Sequence, residues 1–161
     1  MLKEKILAVL ENNARIQIED LAAAIGENVD VVSTAIAEME ADRVICGYHT
    51  LINWDKLNNE KADAFIEVKV APQRGVGFDV VAERIWQYPE VTSIYLISGS
   101  VDFIVYLQGK SMRDVAMFVS EKLSTIDGVL STSTQFILKK YKENGFIVDE
   151  GHKDKRLGGI S

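Results

Sequence analysis

Between residues 2 and 45 the apolar positions repeat every three to four residues, whereas from residue 64 they repeat every second residue. The first spacing belongs to amphipathic helices and the second to half-buried strands, so the chain reads as two segments built on different plans. Leu2, Ile6, Leu7 and Leu10 predict a first helix ending near Asn12. A short alanine-rich helix, IEDLAAAIG, follows and stops at Gly26, a residue suited to the left-handed turn that ends a helix. Asn28 stands at the N-cap of a third helix, with Asp30 in its first turn, where the helix dipole favours an anion. Val32, Ile36 and Met39 share one face of that helix and are expected in the core, leaving Asp30, Ser33, Thr34, Ala37 and Glu38 outside.

Residues 43–53, RVICGYHTLIN, switch to alternation at Val44, Cys46, Tyr48 and Ile52, which predicts a short hairpin or wing closing a unit over residues 1–53. Residues 54–63 are polar without a long apolar period and are expected to be a linker. In AFIEVKVA, Ala64, Ile66, Val68 and Val70 alternate with Phe65, Glu67 and Lys69, a half-buried strand. Phe78, Val81 and Ile85 predict a helix closed by Pro89. VTSIYLIS and FIVYLQG are strands on either side of a tight GSVD turn. A second helix starts at an N-cap Ser111, with Met112, Val115, Val119 and Leu123 on one face, and VLSTSTQFILKKY supplies the last strand.

The order βαββαβ over residues 64–142 is the split, ferredoxin-like plan. The fold class is therefore α+β, an N-terminal winged helix-turn-helix followed by a C-terminal ferredoxin-like domain. Both helices of that plan cover one sheet face, and the other apolar face predicts dimerisation. In the tail, residues 143–161, FIV is expected to add an edge strand.

Composition narrows the function classes. The chain has 161 residues, 47% of them hydrophobic, enough for a real core. No apolar run approaches the roughly 18 to 20 residues that span a bilayer, and charges interrupt the N-terminal apolar positions, so no membrane association is expected and the cytoplasm is the expected compartment. Cys46 is the sole cysteine, which excludes an intrachain disulfide and cysteine-based structural zinc and suggests a buried thiol. His49 and His152 are too far apart in sequence for a metal-ligand spacing. There is no GxSxG, HExxH, GxxxxGK[ST] or GxGxxG. No cofactor, no metal and no catalytic residue is expected, and the protein is not expected to be an enzyme. The formal net charge is −6, with four basic against nine acidic residues in positions 1–50. A helix-turn-helix needs Lys and Arg, because neutralising phosphates supplies most non-specific DNA affinity.

LAAAIGENVDVVSTAIAEMEADRVICGYHTLIN, followed by VTSIYLISGSVDFIVYL and GVLSTSTQFILKKYK, resembles the Lrp/AsnC family of feast-or-famine transcription regulators. The resemblance runs from about Lys3 to Lys142 and rests on both halves in this order. It implies a winged helix-turn-helix, a ferredoxin-like domain that senses an amino acid or related small metabolite, and dimers that build tetramers or octamers. It also implies an effector site near a G-x-x-D turn, here Gly99, Ser100, Val101 and Asp102, and a T-x-T stretch, here Thr132 and Thr134. The chemistry suits a zwitterion: Asp102 can accept from an ammonium in a charge-assisted bond, and hydroxyls and turn amides can donate to a carboxylate.

On a reading helix Ser33 and Thr34 can contact bases and Arg43 is the candidate phosphate contact, and with Asn28 and Asp30 at the start of the helix these are the expected DNA-binding residues. Here the sequence departs from the family pattern. Basic residues common there near positions 23, 24, 34, 35, 37 and 38 are replaced by Ala23, Ala24, Thr34, Ala35, Ala37 and Glu38, and Arg43 stands at a usual glycine turn. DNA is thus expected as a partner bound weakly per dimer. The alternative is a sensor or assembly subunit that has lost strong DNA binding and acts through protein partners. Sirohaem decarboxylases share the two-part plan, but no Arg-His cluster accompanies His49.

Overall fold

The computed structural model of the chain describes residues 1–57, 59, 61–71 and 77–149. Two compact units divide it, Met1–Leu51 and a second beginning at Ile52. Among the described residues no helix is long and apolar enough to cross a membrane.

The first unit holds three helices, α1 (Leu2–Asn12), α2 (Ile18–Ile25) and α3 (Val29–Ala41). Ile6, Leu21, Ala22, Val32, Ala35 and Met39 form its core, with Leu2, Leu7, Leu10 and Ile36 packed against them. Gly26 ends α2 at φ 75°, and from there the Glu27 N–H reaches Ala22 O at 3.0 Å, a bond that satisfies one of the orphan carbonyls of a helix end. Asn28 then starts α3, its side-chain oxygen accepting the Asp30 N–H at 2.8 Å. Arg43 turns the chain out of α3 at φ 59°, and the Val44 and Ile45 N–H groups fold back onto Met39 O at 2.8 and 3.0 Å. A non-glycine residue in that left-handed conformation costs about 1 to 2 kcal/mol.

The expected wing is not formed. Residues 46–53 contain no strand, and Val44, Tyr48 and Ile52 are exposed. Alternation makes a strand only where a ladder partner satisfies the backbone, and this segment has none among the described residues. Tyr48 is tethered instead, donating its hydroxyl to Glu40 at 2.9 Å. Cys46 is likewise exposed, not a core thiol, its Sγ lying 3.2 Å from Arg43 O.

In the second unit a single-turn 3₁₀ helix (Trp54–Leu57) precedes β1 (Ala62–Val70), α4 (Phe78–Trp86), β2 (Val91–Leu96), β3 (Phe103–Gly109), α5 (Met112–Glu121) and β4 (Val129–Phe136). The antiparallel sheet runs β2-β3-β1-β4, the strand order of the ferredoxin-like plan. Ala64, Ile66, Val68, Val70, Phe103, Val105 and Leu107 face Val81, Ile85, Val115, Phe118, Val119 and Leu123. Met112, expected in that core, is exposed, and Phe118, about one turn beyond the buried Val115, joins the core instead. Two residues assigned to the linker, Ala62 and Asp63, belong to β1.

The side chains that alternate with this core lie on the sheet's other face, where Phe65 packs on Tyr106 with ring centroids 5.2 Å apart. Tyr95 on β2 is paired with Ile104 in the same row and stands exposed. FIV does not extend this sheet. Phe146–Ile147 (β6) pairs with Lys142–Glu143 (β5) in a separate hairpin. The reason is the Asn144-Gly145 turn, with φ of 47° and 85°, which suits a tight two-residue reversal.

Candidate functional site

Two surfaces carry the residues singled out by sequence. The first is α3. Asn28 is consumed as its cap, and Asp30 sits in its first turn. Ser33, Thr34, Ala37 and Glu38 are exposed along its outer face, whereas Ala35, one of the positions commonly basic in the family, is buried at 6% exposure. That site cannot host a phosphate-binding side chain without disrupting the core. Arg43 lies ten residues beyond Ser33, about 15 Å along a helix axis, so the structure does not bring it together with Ser33 and Thr34. Glu38 is paired with Lys3 at 3.0 Å, and no lysine or arginine lies on α3 itself.

The second is the turn between β2 and β3. Asp102 locks it in three ways: its carbonyl accepts the Ile97 N–H at 2.9 Å, its N–H donates to Val68 O at 3.0 Å, and its Oδ2 accepts the Val70 N–H at 2.9 Å. The carboxylate thus has a structural task, while retaining further acceptor capacity. Gly99 and Ser100 are exposed and Val101 is half-buried. Gly99 is outside the left-handed region, and a Cβ there would meet nothing within 4 Å. Neither backbone conformation nor crowding in the chain therefore requires glycine at this position.

Thr132 and Thr134 are paired with Val68 and Ile66 of β1. Their side chains thus point to the helix-covered face, half-buried, with Thr132 Oγ1 3.2 Å from Ser124 Oγ. Val68 is flanked by Phe103 on one side and Thr132 on the other. Two strand spacings, about 10 Å, separate those flanks. The turn and Thr132 consequently share one end of the sheet, and Thr134 lies further along β4.

A polar cluster escaped the sequence reading. Lys140 Nζ contacts Asp63 Oδ2 at 2.6 Å, Tyr106 OH at 2.8 Å and Glu143 at 3.2 Å, and Gln108 donates to Asp63 Oδ1 at 3.0 Å. Burial alone would raise the Asp63 carboxyl, but the bonds from Lys140, Tyr106 and Gln108 prevail and hold it below the usual range. Tyr106 is pushed up to about 12, chiefly by burial and, against the opposing bond from Lys140, by the nearby Asp63. Burial works to lower Lys140, yet its partners keep it above the ordinary lysine range. The signal was a charged residue in the strand's alternation, but Asp63 reads as linker until Lys140, far along the chain, is placed beside it.

A three-helix unit with an N-capped, outward-facing third helix, joined to an antiparallel βαββαβ unit, defines a class: helix-turn-helix proteins with an attached ferredoxin-like domain. Residues 63–146 match the Lrp/AsnC ligand binding domain. The chain is 49% identical, over 95% of its length and 93% of the relative's, to an uncharacterized HTH-type transcriptional regulator, YugG, of Bacillus subtilis. It is 25% identical to the proline dehydrogenase transcriptional activator of Rhizobium radiobacter, covering 88% of this chain and 90% of that one. Among solved structures, an AsnC family transcriptional regulator from Agrobacterium tumefaciens superposes with a TM-score of 0.69 at 25% identity, over 88% of this chain and 92% of that one. The L-Met complex of a transcriptional regulator from Neisseria meningitidis shares the fold, with a TM-score of 0.67 at 23% identity over 88% and 91%. The chain belongs to the Lrp/AsnC family of transcription regulators.

Proposed function

We propose that the protein controls transcription by binding DNA through α3 with low affinity per dimer, and that its second unit tunes this binding in response to an amino acid or related metabolite. The observation that carries the DNA reading is the helix-turn-helix geometry, with Gly26 and Asn28 setting the angle of an α3 whose Ser33 and Thr34 face outward. Hydroxyls there can select bases, but hydrogen bonds to base edges specify more than they hold. Affinity then depends on several dimers on spaced half-sites, since linked weak modules gain from effective concentration. Self-association into dimers, and from these tetramers or octamers, uses the sheet face of Phe65, Tyr95, Ile104 and Tyr106. The protein acts in the cytoplasm, is not an enzyme, and requires no cofactor.

For the effector we propose the turn at Gly99–Asp102 with Thr132 and Thr134. The open space over Gly99 supports a close approach by a ligand, and Asp102 supports an ammonium. The Neisseria meningitidis structure, an L-Met complex on this fold, motivates an amino acid.

The test is fluorescence anisotropy with the chain's own upstream DNA across a salt series. The slope of log K against log salt should be shallow. Ala37→Arg with Glu38→Arg should steepen it by about 0.9 per new phosphate contact and tighten binding to all sequences alike. Ser33→Ala or Thr34→Ala should erode the preference for the operator over random DNA. Absence of binding at low salt, in the wild type and in the two-Arg variant, refutes the DNA reading.

A further inference from the structure

Between the N-terminal end of α1 and the outer side of α3 runs an open groove of about 680 Å³, walled by Leu2, Val31, Thr34 and Ala35 and rimmed by Asp30 and Glu38. Its floor is mostly aliphatic. Val31 is 46% exposed and Val29 beside it is also exposed, although α3 already gives Val32 and Met39 to the core of the unit. These valines contribute nothing to the core of the unit, and β-branched residues are not favoured on a helix surface for their own sake. Glu4 joins the rim, and the two cations there are already paired, Lys3 with Glu38 and the N-terminal ammonium of Met1 with Glu4. The whole unit carries five net negative charges.

We propose that this groove docks a basic amphipathic helix of a protein partner, aliphatic side chains lying on Leu2, Val31 and Ala35 while lysines or arginines engage Asp30 and Glu38. Charge complementarity selects the occupant. Phosphates of nucleic acid or of an anionic lipid surface meet like charge at the rim. A polyamine would satisfy the carboxylates but leave the aliphatic floor in water. A basic helix satisfies both, by the helix-in-groove mode in which residues at i, i+3, i+4 and i+7 anchor on apolar side chains. Thr34 lies both in the groove wall and on the exposed face that would read bases, so an occupied groove obstructs DNA. The partner thereby switches the regulator off its operator. The docking itself stands whether or not the chain binds DNA, and the salt-series experiment above tests that separately.

The test uses the full chain and two labelled helical peptides with the same leucine face, one with lysines on the other face and one with glutamates. In fluorescence anisotropy the lysine peptide should bind, weakening as salt is raised, and the glutamate peptide should not. Val31→Ser and Glu38→Lys, both at exposed positions, should each weaken the lysine peptide by about tenfold, 1.4 kcal/mol, with unchanged helical circular dichroism and melting temperature. Glu83→Lys, an equal charge change on α4 of the other unit, should leave binding intact. If Glu83→Lys weakens binding as much as Glu38→Lys does, the attraction is merely that of an acidic protein and the groove is not a site. Equal binding of both peptides, no binding of either, or a Val31→Ser variant that binds like the wild type also overturns the proposal.

Discussion

The two units use charge in opposite ways. In the second unit the buried carboxylate, Asp63, meets Lys140, Tyr106 and Gln108 at hydrogen-bond distance on the sheet. In the first unit the carboxylates lie at the surface, five of the chain's six net negative charges fall there, and the one cross-helix pair, Lys3–Glu38, is half exposed. Beside its surface ion pairs, Arg84–Asp127, Glu90–Lys122 and Lys139–Asp149, the sheet unit thus holds one charge cluster that is internal and structural, and its loss should show in stability. Charge in the helical unit is external, and its changes should show in binding. A helix-turn-helix scaffold can thus survive intact, cap, turn and core included, while the electrostatics that hold DNA are reduced, because core and outer face of α3 occupy different rows of the helix.

The sharpest way to break this comparison is Asp63→Ala, which leaves Lys140 half-buried without its main partner. Unfolding by urea should show a loss of about 2 to 3 kcal/mol, below the range for fully buried pairs because Lys140 retains some solvent. Its pH dependence follows from the shifted groups. Asp63 lies below its ordinary value, so its contribution is full above about pH 4, the unfolded value, and is lost as pH falls through the folded one. Lys140 and Tyr106 are raised, so theirs is full below about pH 10 and lost as pH rises through the folded values. Urea midpoints of wild type and Asp63→Ala should differ most between those limits, and a flat difference down to pH 2 would contradict the assignment.

Next in size is Asp102→Asn. The amide keeps an oxygen for the Val70 N–H but loses the charge, so amino acid affinity in calorimetry should fall by about 1.5 to 3 kcal/mol while stability changes less. Unaltered affinity would reduce Asp102 to the clamp of its turn.

Arg43→Gly comes third. Releasing the left-handed strain should stabilise the helical unit by about 0.5 to 1 kcal/mol after glycine's entropic cost, seen as a higher thermal midpoint. A loss of operator affinity in the same variant would identify Arg43 as a phosphate contact as well.

The smallest effect is expected for Lys3–Glu38. A double-mutant cycle to alanine should return a coupling of less than about 1 kcal/mol, the ordinary value for exposed pairs. A larger coupling would mean that the helical unit also relies on charge for its stability.

The Lrp/AsnC plan was legible in the sequence because local rules and global fold agree along most of it. Gly26 and Asn28 announce the helix-turn-helix turn by their own chemistry, and the period-two rows of β1, β3 and β4 announce a sheet with one buried face. The deficit of positive charge on α3 was legible too, since it is a matter of residue type. What only the tertiary structure decided were questions of partnership between distant residues. The alternation from Val44 to Ile52 lacks a ladder partner and forms no strand, so periodicity there misled. Asp63 looked like linker because a buried charge in the row of Phe65, Glu67 and Lys69 is sensible only once Lys140 lies 2.6 Å away. That Asp102 clamps its own turn is visible only once the Val70 N–H is found on its Oδ2. Sequence specifies periodicity and turn chemistry through neighbours a few residues apart, whereas burial of a charge and pairing of a strand depend on groups brought together only by folding.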